Sequence, residues 1–335
     1  MSREFFLKVL HKTIIMTLAS NISFDQRNEQ IALATTRGFI IYECASGVVL
    51  YEAVFPSGGA NCISILTDSN LVAASGDDSK EGFKKSSLIL WDCQHDKVAR
   101  LIDMDDPITA LIFRADCLVI VSGDHINFYD CCDFELIYTT INPIPSKFCI
   151  SLVQSNSLNL CVYPSQDGSN LIVADYHDPG YELGIIPVSF SKVNFFTFDS
   201  KGELLATVVN DGKSIYLWSV LELRLIAKFK RGLHSAKVSG IAFDHLSNFF
   251  IMTTKRGTMH VFAIPTPAER SNSEKQKSVR SKFNYELPKG ADFHCQFDIA
   301  GYVITGIADD GTFKQLRLDV EKGIVVPICD RKLEL

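Results

Sequence analysis

The chain has no Cys-x-x-Cys pair among its ten cysteines, no HExxH, no GxSxG and no GxGxxG. The spacings that hold zinc, expose a hydrolase nucleophile or cradle a dinucleotide are therefore missing. Its eight histidines are dispersed, so neither a metal nor a cofactor is expected. Adjacent Cys131 and Cys132 are poorly placed for an ordinary disulfide, and the thiols read as buried or half-buried in a reducing compartment. No apolar run reaches the roughly 18 residues of a membrane-spanning helix. The opening MSREFFLKVLHKTIIMTLAS is broken by Lys8, His11 and Lys12, which argues against a secretory signal. Positive charge is also short: 33 Lys and Arg against 39 Asp and Glu give −6. A global field for nucleic acid is excluded, and any anion site must be a local cluster. DGKS at 211–214 has the end of a phosphate-binding loop but Thr207 where that motif needs glycine, so it reads as a hairpin turn. The acid pairs Asp105–Asp106 and Asp309–Asp310 fall at turns and read as turn residues. Nothing here supports catalysis, and the expectation is a soluble, monomeric, intracellular chain that is not an enzyme.

What the sequence does have is a repeat. GFIIYECASGVVLYEAV, SSLILWDCQHDKVARLI, DHINFYDCCDFELIYTT, KSIYLWSVLELRLIAKF, GTMHVFAI and GTFKQLRLDVEKGIVVPI share a turn, an alternating strand ending in a bulky residue, and then usually a second apolar strand; SNLIVADYHDPGYELGI is a weaker copy. Taking Tyr42, Trp91, Tyr129, Ala174, Trp218, Phe262 and Leu316 as equivalent, the steps are 49, 38, 45, 44, 44 and 54 residues. Seven copies near this period imply an all-β chain, one seven-bladed β-propeller of four-stranded antiparallel blades over residues 1–335. The ring must close to hide its last edge, and the N-terminal stretch is expected to help the last blade do so. Only residues 2–11 and 220–226 allow helix. Residues 264–282, IPTPAERSNSEKQKSVRSK, carry prolines, serines and charges with almost no large apolar residue, and read as a mobile basic loop within blade 6.

One short connection is unusual. In KFKRGLHSA, Lys230 and Arg231 precede Gly232 and His234, between an apolar strand of one blade and the first strand of the next. Adjacent side chains on an extended chain point to opposite sides, so the two cations can serve two separate pockets. An arginine fork suits a phosphate, a lysine acts as a point charge, and His234 adds a donor when protonated. Gly232 would let the backbone turn or approach a ligand. From composition alone, a solvated basic turn is the simpler reading of the same residues.

The flanking sequence adds a resemblance. FKRG, Phe229 to Gly232, resembles the FRRG signature of the PROPPINs, WD40-like propellers that bind phosphoinositides in autophagy. NISFDQRNEQIALATTRGFIIYEC, SNLVAASG with SSLILWD, DDPITALIFRADCLVIVSGDHINFYD, LLATVVNDGKSIYLW, TTKRGTMHVF and ADDGTFKQLRL resemble successive blades of that family in order. The resemblance implies two headgroup sites. Toward blade 6 it selects Arg231, His234, Thr254, Lys255 and Thr258, with Lys255 in place of an acidic residue and so favouring an anion. Toward blade 5 it selects Lys230, with Val209, Tyr216 and Ser189 where the family has polar or basic residues, and this pocket is expected to be weakened. Residues 264–282 match the family's membrane-contact loop, here with Arg270, Lys275, Lys277, Arg280 and Lys282 instead of an apolar tip. Loops of the second and third blades engage partner proteins in the family; Ser75 to Ser87 lies there. The implied role is a non-catalytic reader of PI3P or PI(3,5)P2 on autophagic, endosomal or vacuolar membranes. The alternative is a propeller scaffold that has lost lipid binding.

Overall fold

A computed structural model describes residues 19–79, 81–143, 149–153, 158–188, 193–209, 211–271, 278–299 and 302–335. Seven antiparallel sheets follow one another along the chain, at residues 21–54, 60–103, 108–141, 151–187, 193–230, 238–286 and 293–332. Each is a blade whose four strands run in sequence order from the inside of the ring to its rim. The second strands are almost wholly buried, Leu204–Val209 and Phe249–Thr254 along their whole length, because a neighbouring blade covers each face. The core accordingly divides into seven apolar clusters, one between each pair of adjacent blades. The cluster joining Ile31, Leu33 and Tyr42 to Ile307 and Phe313 closes the ring between the last blade and the first.

The seven residues taken as equivalent all occupy the fifth position of their blade's third strand. In six blades the register toward the fourth strand slips at that residue, as between Leu217 and Trp218. Such a bulge sharpens the local twist where the outer strand joins the blade.

The N-terminal side helps close the ring as expected: Ala19 lies in the closing cluster and its N–H donates to Asp309 O, 2.7 Å, while among the described residues the last blade takes its four strands from 293–332. Two expectations need correction. Residues 220–223 turn and Arg224–Lys230 is strand, so 220–226 holds no helix; residues 2–11 lie outside the described residues. The connection at 264–282 carries regular structure at both ends. Pro267–Ser271 is a short helix whose start is a capping box: Glu269 accepts from Thr266 N–H (2.8 Å) and Glu269 N–H donates to the Thr266 hydroxyl (3.4 Å). Pro267 at the first helical position needs no N–H partner. Farther on, Ser278–Arg280 adds a fifth, parallel strand to the rim of blade 5 before Phe283–Glu286 completes blade 6. None of the ten cysteines forms a disulfide. No helix among the described residues is long and apolar enough to cross a membrane.

Candidate functional site

In an antiparallel blade, turns between first and second strands and between third and fourth lie on one face of the ring. Second-to-third turns and the crossings to the next blade lie on the other. The Lys230–Arg231 connection is the crossing from blade 5 to blade 6, on this second face. DGKS is there too, as the hairpin between Leu204–Val209 and Ser214–Ser219. Gly212 has φ +77°, and a Cβ there would meet Ala236 O at 2.4 Å, so glycine is required.

That turn positions Arg231. Its Nε donates to Gly212 O at 2.6 Å, one of its Nη groups donates to His234 O, and its backbone N–H donates to Lys213 O at 2.9 Å. Two of five side-chain N–H donors are thus used on carbonyls and three remain for an acceptor. Among the described residues no carboxylate lies within ion-pair distance of Arg231. Partial burial lowers its pKa from the ordinary arginine value, and the nearby Arg256 guanidinium lowers it further. A half-buried cation held by dipoles and facing a second cation favours an anion.

The other blade 6 residues divide. Thr254 is 1% exposed and its hydroxyl is spent on Thr258 at 3.0 Å, so it reaches a ligand only through Thr258. Thr258 is part-exposed and also contacts His260 Nε2 at 3.2 Å. His234 is exposed. Lys255 forms an ion pair with Asp292, 3.2 Å, so the extra charge expected from replacing an acidic residue is largely neutralised. Glu286 stands across from Thr258 as a further carboxylate. Gly232 departs from expectation: its φ is not positive and a Cβ would meet nothing within 4 Å.

Sequence reasoning missed three residues. Arg256, exposed beside Lys255, donates to Ser235 O at 3.2 Å, and its charge is felt at Arg231. His260 is buried with an unpartnered Nδ1; burial lowers its pKa, Asn284 opposes this, and the charge of Arg231 adds to the lowering. Leu233, between the cations and His234, is 92% exposed. The adjacent Lys–Arg pair in TTKRGT was the available signal for Arg256.

Toward blade 5, Lys230 is exposed and lies between Ser214 and Arg280 on its two neighbouring strands. Val209 is buried, Tyr216 carries the Lys228 ammonium over its ring at 5.3 Å, and Ser189 lies outside the described residues. The loop cations are dispersed. Arg270 donates to Pro265 O at 2.7 Å and senses Asp199 and Glu203, at a turn on the opposite face from Arg231. Lys282 sits over the rings of Phe249 and Phe283. Arg280 stands beside Lys230, and Lys275 and Lys277 lie outside the described residues. Among the described residues no group of three or more His, Cys, Asp or Glu is placed to hold a metal.

No family model matches the chain. It is 19% identical over 282 residues to SVP1-like protein 2 of Schizosaccharomyces pombe, covering 83% of this chain and 78% of that protein. It is 21% identical over 324 residues to autophagy-related protein 18e of Arabidopsis thaliana, covering 90% and 84%. The chain is a homologue of these proteins. Among solved structures, the complex of KlAtg21 with the coiled coil of AgAtg16 superposes with a TM-score of 0.80 at 16% identity, covering 95% of this chain and all of the other. The homology and the shared seven-bladed ring agree with the family that the FKRG segment resembles.

Proposed function

We propose that the protein is a PROPPIN-like, non-catalytic phosphoinositide reader that recruits partners to autophagic, endosomal or vacuolar membranes. Homology to autophagy-related proteins supports a membrane-recruitment role. The observation that carries the lipid reading is Arg231: held by two carbonyls, unpaired with any carboxylate among the described residues, and beside Arg256. PI3P or PI(3,5)P2 supplies the phosphate monoester that this pair lacks, with Thr258 and His234 as further donors. Stable attachment to a membrane takes two signals. Headgroup capture is one. Leu233, presented almost fully to solvent next to the cations, is the apolar second, with Arg280 of the 264–282 connection as an electrostatic supplement. The protein acts at membranes from the cytoplasm, and its propeller loops, Ser75 to Ser87 among them, meet autophagy or trafficking proteins.

Flotation with vesicles tests this. Phosphatidylcholine vesicles containing PI3P should recover the protein, plain phosphatidylcholine vesicles should not, and Arg231→Ala should abolish the difference while Lys230→Ala reduces it less. Equal recovery by both vesicles in the wild type refutes the lipid reading and leaves the protein-interaction scaffold.

A further inference from the structure

The rim strand of every blade is an edge, and folded chains guard such edges with lysine, proline, short length or a covering segment. Blade 2 ends in Lys97–Asp103, with Lys97 and Arg100, and blade 7 in Ile324–Lys332, with Pro327 and Arg331. Blade 6 ends in the four residues Phe283–Glu286, and blades 1 and 3 in strands of six. Blade 5 is covered: Ser278–Arg280 pairs in parallel with its edge and seats Val279 on the apolar cluster around Phe229. Blade 4 differs. Its rim strand, Asp178–Pro187, has ten residues and is the longest of the described strands. Among the described residues nothing pairs with its outer edge. Between Pro179 and Pro187 it has neither proline nor cation. Exposed Tyr181, Leu183 and Ile185 alternate there with Glu182 and Gly184. The register toward Asn170–Asp175 slips at Ala174 and is regular from Gly184 to Pro187.

Charge sets this flank apart. Residues 108–187, which hold blades 3 and 4, contain nine Asp and Glu against two Lys and Arg, a net −7, so the remainder of a chain at −6 is +1. Blade 4 itself, residues 151–187, has no Lys or Arg. Among the described residues neither Asp178 nor Glu182 has a cation within ion-pair distance. The rim of blade 3 continues the surface: a Cβ on Gly180 would stand 3.2 Å from the Tyr138 ring, and Leu136, Ile137 and Ile141 on that neighbouring strand are exposed. An acidic field of this kind repels an anionic leaflet and attracts cations.

We propose that the outer edge of Asp178–Pro187 docks an extended segment of a partner protein, one in which apolar residues alternate with Lys or Arg, as a fifth strand of blade 4. Main-chain hydrogen bonds along a free edge give such a complex its affinity, and alternate side chains give it specificity. Here the apolar residues of the segment cover Tyr181, Leu183 and Ile185, and its cations meet Glu182 and Asp178. Ser278–Arg280 is the precedent within the chain: an apolar residue followed by a cation, added to a rim as a fifth strand. The docking edge uses no residue of the Arg231 site and is independent of the lipid reading.

The probe is a short blocked peptide of alternating lysine and valine, with a glutamate–valine peptide as control, titrated onto the full chain by fluorescence anisotropy and mapped by hydrogen exchange. The basic peptide should bind and slow amide exchange within 178–187; the acidic one should do neither. Glu182→Lys should weaken the basic peptide about tenfold, one attraction lost and one repulsion gained. The same variant should bind the acidic peptide, a gain that damage to the fold could not produce. A basic peptide methylated on alternate backbone nitrogens should lose binding, because strand addition needs its N–H groups. Absence of protection at 178–187, wild-type affinity in Glu182→Lys, or undiminished binding of the methylated peptide each overturns the proposal. A dimer in sedimentation velocity that Glu182→Lys breaks would assign the edge to a second copy of the chain. Protection of 178–187 by PI3P-containing phosphatidylcholine vesicles would assign it to a membrane. Either result overturns the partner strand, and neither bears on whether Arg231 binds the lipid.

Discussion

Replacing Asp292 by asparagine tests whether Lys255 is a restrained cation. Asp292 Oδ2 lies 3.2 Å from Lys255 Nζ, and the two side chains are 19% and 33% exposed. Burial pushes the Asp292 carboxyl up, but the Ser239 hydroxyl, His294 and Lys255 outweigh it, so its pKa lies below the usual carboxylate value and it is ionised at neutral pH. Two charges at this distance attract by about 1 kcal/mol in water and about 5 kcal/mol at an effective dielectric of 20; partial exposure and side-chain entropy bring the net figure toward about 1 kcal/mol. Asp292→Asn keeps the shape and the backbone hydrogen bond from Asp292 N–H to Asp309 Oδ1, 3.0 Å, while releasing the Lys255 charge next to the blade 6 site. Apparent affinity for PI3P vesicles should rise about fivefold, and the gain should shrink as salt is raised. Lys255→Ala should change little in the wild type and should cancel the gain in the Asp292→Asn background. Vesicle titrations at two salt concentrations on the four chains give the result. Unchanged or weaker binding by a folded Asp292→Asn chain would falsify the view that Lys255 is held back from the anion.

Three further outcomes follow from the geometry. Phe229 is fully buried with ring centroids 4.9 Å from Phe250 and 5.5 Å from Phe262, so Phe229→Ala should cost about 3–5 kcal/mol in urea unfolding; a loss below 1 kcal/mol would contradict the packing. His260, whose pKa is lowered from 6.5, favours the neutral ring in the folded state, so stability should fall as pH drops below 6.5, where the unfolded chain takes up the proton first; thermal unfolding of His260→Gln should show a smaller decline, and an identical decline refutes the assignment. Gly232→Ala should change stability and vesicle binding by less than about 0.5 kcal/mol, because its Cβ would meet nothing within 4 Å, whereas Gly212→Ala should weaken both by displacing the carbonyl that holds Arg231; equal behaviour of the two variants would show that the Gly212 turn does not position the arginine.

The ring was legible because its signal is periodic. Trp91, Trp218 and Phe262 mark the same strand position as Ala174, and even that smallest member sat at the right interval. The hairpin at DGKS was legible from its turn residues, and Lys230 and Arg231 from two adjacent cations. What the sequence hid depends on partners distant in the chain. Ser278–Arg280 is too short for a period of two to show, and its pairing with Lys228–Lys230 is tertiary. Asp292 neutralises Lys255 from the next blade's approach. The two acceptors fixing Arg231 are carbonyls, which every residue possesses and no sequence pattern marks. The helix at Pro267–Ser271 was different: the threonine and glutamate of TPAE announced its capping box, but the polar composition around them spoke for a loop.

The place of the cation cluster follows from how a propeller is wired. A chain leaving the rim of one blade must cross to the inside of the next, and this crossing leaves its backbone carbonyls outside any sheet ladder. In blade 5 two such free dipoles, at Gly212 in the adjoining turn and at His234 in the crossing, point at one guanidinium. Carbonyls hold a cation in place without cancelling its charge, as a carboxylate would. The contrast lies next to Arg256, where Lys255 has met Asp292 and is spent. Arg231 is therefore rigid and still charged, the two properties a preorganised phosphate site requires, and the same wiring brings Arg256 from the blade 6 turn to its side. A carboxylate introduced within reach of Arg231, as in His234→Glu, removes the second property while keeping the first, which separates a binding role for the cluster from a structural one.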